Sequence, residues 1–267
     1  LVVGVLLLLF LLLLAEVLLR VGVLVLVLGL LLLLLLAKAV VVHVQVVHAL
    51  RRRLHAILVL EHDLYLFADE VYREFCYDGA TPKSVMQLPG LEDNVVLVDS
   101  VSKRYSMCGA RIGAMVTKNR AVRKAAMKFA MARLSPPTLA QVASEAALET
   151  SETYFEEVRN RYVARRNALV EGLRAIPGVK VPTPGGAFYA VCELPIDNSD
   201  SFCQWMLEHF DLEGDTVMMA PATGFYATPG AGTRQVRIAY VLDLPLIERA
   251  VECLAAALKV YPGRREA

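Results

Sequence analysis

No serine, threonine, asparagine, aspartate, proline, tyrosine or cysteine occurs before residue 62 of this 267-residue chain, and that absence constrains what its start can fold into. Helix caps and tight turns depend on those residue types, because their short polar side chains satisfy backbone groups at element ends. From Asp63 onward the mixture is that of an ordinary globular protein. The two parts do not follow one consistent design.

The start holds two nearly pure apolar runs, Leu1–Ala15 and Val21–Leu36, separated by Glu16-Val-Leu-Leu-Arg20. Each run is short of the roughly 20 residues a spanning helix needs. Fused, they exceed one simple span, although Glu16 and Arg20 at helical i,i+4 spacing soften the interruption. Three readings compete. One is a membrane anchor with Arg51-Arg-Arg53 on the cytoplasmic side. Another is a signal peptide, disfavoured because no basic region precedes the run and no small-residue cleavage site follows it. The third, which we favour, is a stretch that is not a native product of the gene. The chain opens on Leu rather than Met, and the expectation is that something is missing. Between Lys38 and Glu61, Ala39–Val44 suits a buried strand and His48–Leu60 a helix.

Bulk properties narrow the function classes. A net charge of +1 gives no global attraction for nucleic acid. Five cysteines, odd in number and without metal-type spacing, suit free thiols in a reducing compartment. The five histidines form no metal-binding pair, so no metal site is expected.

Beyond residue 62 the pattern is α/β. Leu64–Ala68, Val95–Asp99 and Ile112–Thr117 are short apolar runs of strand type, the first two ending in functional groups. Ligands of open α/β sheets gather beyond the carboxyl ends of strands. Helices are expected at Asn119–Leu134, from Pro136-Pro137 to about Glu149, and over the charged Ser151–Ala175 stretch, which Pro177-Gly178 stops. Then strand-like Val179–Val181, Gly186–Glu193, Thr216–Met219 and Gln235–Tyr240 interleave with helices Asp200–Phe210 and Leu244–Tyr261. That alternation predicts a small α+β domain. The expected division is residues 1–37 as the apolar segment, 38–150 as a partial large domain with a mostly parallel sheet, and 151–267 as linking helix and small domain.

The chemistry concentrates in two segments. Ser100-Val-Ser-Lys103 follows the Val95–Asp99 run, with Arg111 eight residues beyond the lysine; Asp69-Glu-Val-Tyr72 stands thirty residues upstream. A lysine flanked by hydroxyls and followed by an arginine is what a pyridoxal phosphate site requires. The lysine forms the Schiff base, the hydroxyls and guanidinium hold the phosphate, and a carboxylate keeps the pyridine nitrogen protonated. Taken singly, Asp69 reads better as the cap of a helix beginning at Glu70, and Lys103 as a surface lysine. Their order together changes that balance.

The ordered set resembles the class I aminotransferases, the aspartate aminotransferase-like branch of pyridoxal phosphate enzymes with the type I fold. The resemblance covers about residues 63–265. It rests on Asp63-Leu-Tyr-Leu-Phe-Ala-Asp-Glu-Val-Tyr-Arg-Glu-Phe75 and Asp99-Ser-Val-Ser-Lys-Arg-Tyr-Ser-Met-Cys-Gly-Ala-Arg-Ile-Gly113, with Pro184-Gly-Gly-Ala-Phe-Tyr189 and Val217-Met-Met-Ala-Pro-Ala-Thr-Gly-Phe225 in support. It implies that Lys103 is the catalytic Schiff-base residue and proton shuttle. Asp69 would pair with the pyridine nitrogen, Tyr72 with the ring oxygen, and Ser100, Ser102 and Arg111 with the phosphate. Arg237 would take the substrate carboxylate, a role that suits its planar fork; the alternative is a strand-end surface arginine in an ion pair. Phe188 and Tyr105 are pocket or core aromatics, Cys108 is a packing residue, and Arg104 is a specificity group or a solvated charge.

The resemblance also implies an amino acid and a 2-oxo acid as substrates, a homodimer and a cytoplasmic location, with membrane association only if residues 1–36 are genuine. One departure stands out. The family places a phosphate-cradling helix N-terminus, a ring-stacking aromatic and an Asn-Pro loop upstream of the Asp69 strand. Here the first Pro, Ser and Asn are Pro82, Ser84 and Asn94. Transamination is therefore accompanied by two alternatives: a catalytically inactive truncated relative, and a lyase on the same fold.

Overall fold

The computed structural model describes residues 56–266. The apolar runs, the Ala39–Val44 strand and most of the His48–Leu60 helix lie outside the described residues. Among the described residues no helix is long and apolar enough to cross a membrane.

The chain divides into two compact units, Leu1–Tyr65 and Leu66–Ala267. In the first, residues 56–61 are helical, and the chain leaves the helix through a bond from the Leu64 amide to the Val59 carbonyl (2.9 Å).

The second unit carries two three-stranded sheets. In the first sheet β1 (Leu66–Asp69) lies parallel to β2 (Val95–Ser100), and β3 (Gly113–Val116) pairs antiparallel with β2. The described sheet is thus mixed rather than mostly parallel, because only the β1–β2 connection crosses over while the lysine segment turns the chain straight back. β2 is central and buries Val95, Val96 and Leu97. The register pairs Asp69 with Val98, so the carboxyl ends of β1 and β2 open on the same edge. Ser100 pairs with Gly113, where a Cβ would come within 3.1 Å of the Asp99 carbonyl.

Short α1 (Val101–Arg104) follows β2 directly, capped by Ser100, whose Oγ accepts from the Ser102 amide (3.2 Å). Next come α2 (Arg120–Arg133), capped by Asn119, and α3 (Thr138–Ala146) after the Pro136-Pro137 pair. α4 (Glu152–Arg174) leads into the second sheet. That sheet has the order β4 (Tyr189–Glu193), β6 (Gln235–Ala239), β5 (Ala220–Pro221), all antiparallel. Helices α5 (Ser199–Glu208) and α6 (Leu244–Val260) cover one face. The strand expected at Thr216–Met219 is irregular and the pairing starts at Ala220 instead; Val179–Val181 contributes a single bridge, Lys180 to Glu193.

Strand alternation decides which face is core. Ala190 and Cys192 of β4 and Val236 and Ile238 of β6 point into a buried cluster with Leu173, Phe202, Met206, Leu254 and Leu258. Tyr189 and Arg237 consequently share the opposite face.

Candidate active site

The site assembles where the segment after β1 runs along the entrance to β4. The Tyr77 amide donates to the Gly185 carbonyl (3.0 Å) and the Ala187 amide to the Phe75 carbonyl (2.8 Å). Gly186 sits between them, where a Cβ would lie 2.9 Å from the Phe75 oxygen, so only glycine allows this approach. Ala187 is held with φ at 58°, and its carbonyl accepts from both the Tyr77 hydroxyl (2.5 Å) and the Tyr240 hydroxyl (3.1 Å). Buried Arg166 locks the same junction, donating to Asp78 (2.6 and 3.1 Å) and to the Pro184 carbonyl (3.0 Å).

This zipper presses Tyr72 edge-on against Phe188 and Tyr189, with ring centroids 5.1 and 5.8 Å away. The Tyr72 hydroxyl donates to the Tyr189 hydroxyl (3.0 Å). Burial pushes the Tyr72 phenol well above its ordinary range, the Tyr189 bond and the nearby Asp69 charge add to the rise, and Arg237 opposes it. Tyr72 therefore stays a neutral hydrogen-bonding phenol at physiological pH. Tyr72 thus lies within the fields of both Asp69 and Arg237.

Lys103 completes the group. Its ammonium lies 5.6 Å from the Phe188 ring centroid, and no carboxylate among the described residues pairs with it. Arg237 is likewise without an ion pair among the described residues; its guanidinium lies over Tyr189 (4.5 Å) and Phe225 (4.9 Å). Its strand position turns it onto two aromatic rings instead of an ion pair among the described residues. Asp69 does not cap a helix either. Residues 71–74 form a turn, and the Asp69 carboxylate accepts from the Val71 amide (3.2 Å).

The hydroxyl and guanidinium groups are less gathered. Ser100 is occupied in capping α1, and no hydrogen bond joins Arg111 to Ser100 or Ser102. Arg111 is exposed, left-handed at φ 57°, and donates to the Cys108 carbonyl (3.0 Å). Two neighbours differ from expectation. Arg104 is not solvated: its side chain is 13% exposed, because it bridges Asp99 (2.5 Å) and Glu74 (3.3 Å). Cys108 is exposed rather than packed, since the short turn over 108–110 buries no residue. All five cysteines are free thiols.

Sequence reasoning assigned no role to Tyr189 or Phe225, the groups that receive Tyr72 and Arg237. The available signal for Tyr189 was its place directly after Phe188 at the start of a strand whose alternate residues are small and apolar.

A donor set of one unpaired amine, one carboxylate, one half-buried phenol and one unpaired guanidinium around aromatic rings fits pyridoxal phosphate chemistry, with the phosphate end only partly gathered. The comparisons agree with that geometry. Residues 49–254 match the family model described as aminotransferase class I and II. The chain is 29% identical over 223 residues to an aspartate aminotransferase of Rhizobium meliloti, covering 78% of this chain and 52% of that protein. It is 31% identical over 218 residues to the aspartate/prephenate aminotransferase of Thermus thermophilus, covering 80% and 52%. The solved structure of LysN, an alpha-aminoadipate aminotransferase of Thermus thermophilus complexed with N-(5'-phosphopyridoxyl)-L-leucine, superposes with a TM-score of 0.67 at 27% identity, covering 78% of this chain and 53% of that one. The chain spans about half the length of the relatives it matches, and its mixed α/β architecture is a partial form of the fold they share. Alike in sequence and in backbone over more than three-quarters of its length, it belongs to the class I and II aminotransferase family.

Proposed function

We propose that the described residues form the cofactor-bearing part of a pyridoxal phosphate-dependent aminotransferase acting between an amino acid and a 2-oxo acid. The observation that carries the proposal is the Lys103 amine, free of any ionic partner among the described residues, above Phe188 in the same cluster as Asp69, Tyr72 and Arg237.

When bound, the cofactor supplies an electron sink next to the substrate's Cα. Lys103 carries the amine for covalent attachment, and it is the group suited to take and return the proton at Cα. Asp69 balances positive charge on the ring nitrogen, and neutral Tyr72 donates to the ring oxygen. Ser100, Ser102 and Arg111 serve the phosphate, Arg111 after turning from the Cys108 carbonyl. Arg237 holds the substrate carboxylate; its two rings fix the guanidinium plane and exclude water on that side. A homodimer, a cytoplasmic location, and a division at about residues 37 and 150 complete the proposal.

The inactive-relative reading draws on Arg111, whose bond to Cys108 leaves the phosphate end open. The test is incubation of the purified chain with pyridoxal phosphate, borohydride reduction and peptide mapping. A reduced adduct confined to Lys103 is the expected result. Adducts scattered over surface lysines, or none, would favour the inactive relative, and amine product without keto-acid exchange would favour the lyase.

A further inference from the structure

Arg104 follows Lys103 directly on α1, a single turn of four residues and too short to hold its own shape. Its largely buried guanidinium lies between two carboxylates that come from different elements. Asp99, at the carboxyl end of β2, accepts from Arg104 Nη2 (2.5 Å) through one oxygen and from the Ser100 amide (2.8 Å) through the other. Glu74, the last residue of the turn over 71–74, lies 3.3 Å from Nε. That nitrogen is buried without a hydrogen bond, so the Glu74 contact is ionic. Arg73, 3.5 Å from the same Glu74 oxygen, brings the formal charge of the group to zero.

We infer that Arg104 is a positioning residue, which fixes where the Lys103 amine stands relative to Tyr72 and Asp69. The turn that ends at Glu74 also carries Tyr72, and it starts from Asp69, whose carboxylate accepts from the Val71 amide (3.2 Å). Lys103 is one residue from the brace and Tyr72 is two, so the brace sets the offset between amine and phenol. Lys103 has no ion pair of its own among the described residues to fix that offset; its ammonium stands 5.6 Å from the Phe188 ring centroid. The other end of α1 is anchored separately, by Tyr105 on Phe155 (centroids 5.8 Å apart) and by the Tyr154 hydroxyl donating to Ser106 (3.3 Å). Those contacts tie α1 to α4. Among the described residues, the Arg104–Glu74 pair is the one polar link from α1 to the turn after β1. A lysine at 104 would not replace it, because one ammonium on a flexible stem cannot span two carboxylates as a planar fork does. The catalytic meaning of this placement rests on the cofactor reading above; the placement itself does not, and the first readout below needs no cofactor.

The test uses the purified full chain with its lysines reductively methylated by isotope-labelled formaldehyde and followed by NMR. The Lys103 signal is the one that Lys103→Arg removes. In wild type the Phe188 ring current displaces that signal from those of exposed lysines. Arg104→Lys and Glu74→Gln each return it to the exposed-lysine position, and the two together go no further, as partners in one contact should. Arg249→Lys is the same exchange in an arginine held by Asp215, Glu213 and Glu252. It leaves the Lys103 signal in place, which separates positioning from a general loss of stability. The second readout is the rate at which borohydride traps a pyridoxal phosphate adduct on Lys103, measured against exposed Lys118. It falls at least about tenfold in Arg104→Lys, since a misplacement of about 1 Å is costly to such an approach. Four results overturn the inference. They are a wild-type Lys103 signal at the exposed-lysine position, a displaced signal that survives Arg104→Lys or, should that variant not fold, Glu74→Gln, an equal loss in Arg249→Lys, and a Lys103 adduct rate that Arg104→Lys leaves unchanged. A displaced signal that Arg104→Lys abolishes, with no adduct on Lys103 in wild type, upholds the positioning role and defeats the cofactor reading instead.

Discussion

At the residue scale, the candidate site is a set of charges placed on aromatic surfaces. Tyr72 links three of its members, being bonded to Tyr189 and within the fields of Asp69 and Arg237. Tyr72→Phe removes one neutral hydrogen bond, worth about 1 kcal/mol. Cofactor affinity should fall about fivefold to tenfold in an absorbance titration, while the thermal midpoint barely moves because the ring contacts remain. Asp78 tests the junction beneath. Its bonds to Arg166 hold the carboxyl below the ordinary carboxylate range. A depressed folded-state value stabilises above the unfolded value and stops doing so as pH falls through the folded one. Wild type should therefore melt above Asp78→Ala at neutral pH, and the gap should close as pH drops from about 6 to about 3. A gap that stayed constant with pH would rule out the ion pair as its source.

At the element scale, α4 crosses α6 at Gly172. A Cβ there would lie 2.9 and 3.1 Å from the two methyls of Val251, whose stiff side chain cannot swing away. Helix propensity favours alanine over glycine by about 1 kcal/mol, but overpacking costs about 1–3 kcal/mol. Gly172→Ala should consequently destabilise in urea melts, and in a Val251→Ala background the same change should stabilise. That reversal of sign is a direct test of the contact. Elements were also where the sequence was most legible. Asn119 and Asn198 each cap a helix that starts at the next residue, and Pro245 sits in the first turn of α6. The strands expected at Thr216–Met219 and Val179–Val181 were exceptions, since neither forms a ladder: the first is irregular and the second makes a single bridge.

At the scale of the second unit, stability is unevenly distributed. Its buried residues cluster around α4, β4, β6, α5 and α6, while Val98–Arg165 has none. Amides of β4, β6 and the buried half of α6 should exchange slowest in native-state hydrogen exchange. Those of α2 and α3 should exchange orders of magnitude faster in the isolated chain. Equal protection across the two regions would mean that α2 and α3 find a packing surface of their own.

Local information in the chain determined the elements, the family and the site's residue types, because caps, alternation and the Asp69, Ser100, Lys103 and Arg111 spacing are set within short windows. Parallel pairing of β1 with β2 then follows from two apolar runs ending in polar groups. Only the tertiary structure decided which groups meet. Tyr189 reaches Arg237 through strand register between distant segments, Phe225 reaches it from the short turn after β5, and Arg166 reaches Asp78 across 88 positions of chain. Arg104 turned inward because two carboxylates, Asp99 and Glu74, converge on it from separate elements. Contacts of that kind depend on how whole elements pack, and no window of sequence contains them.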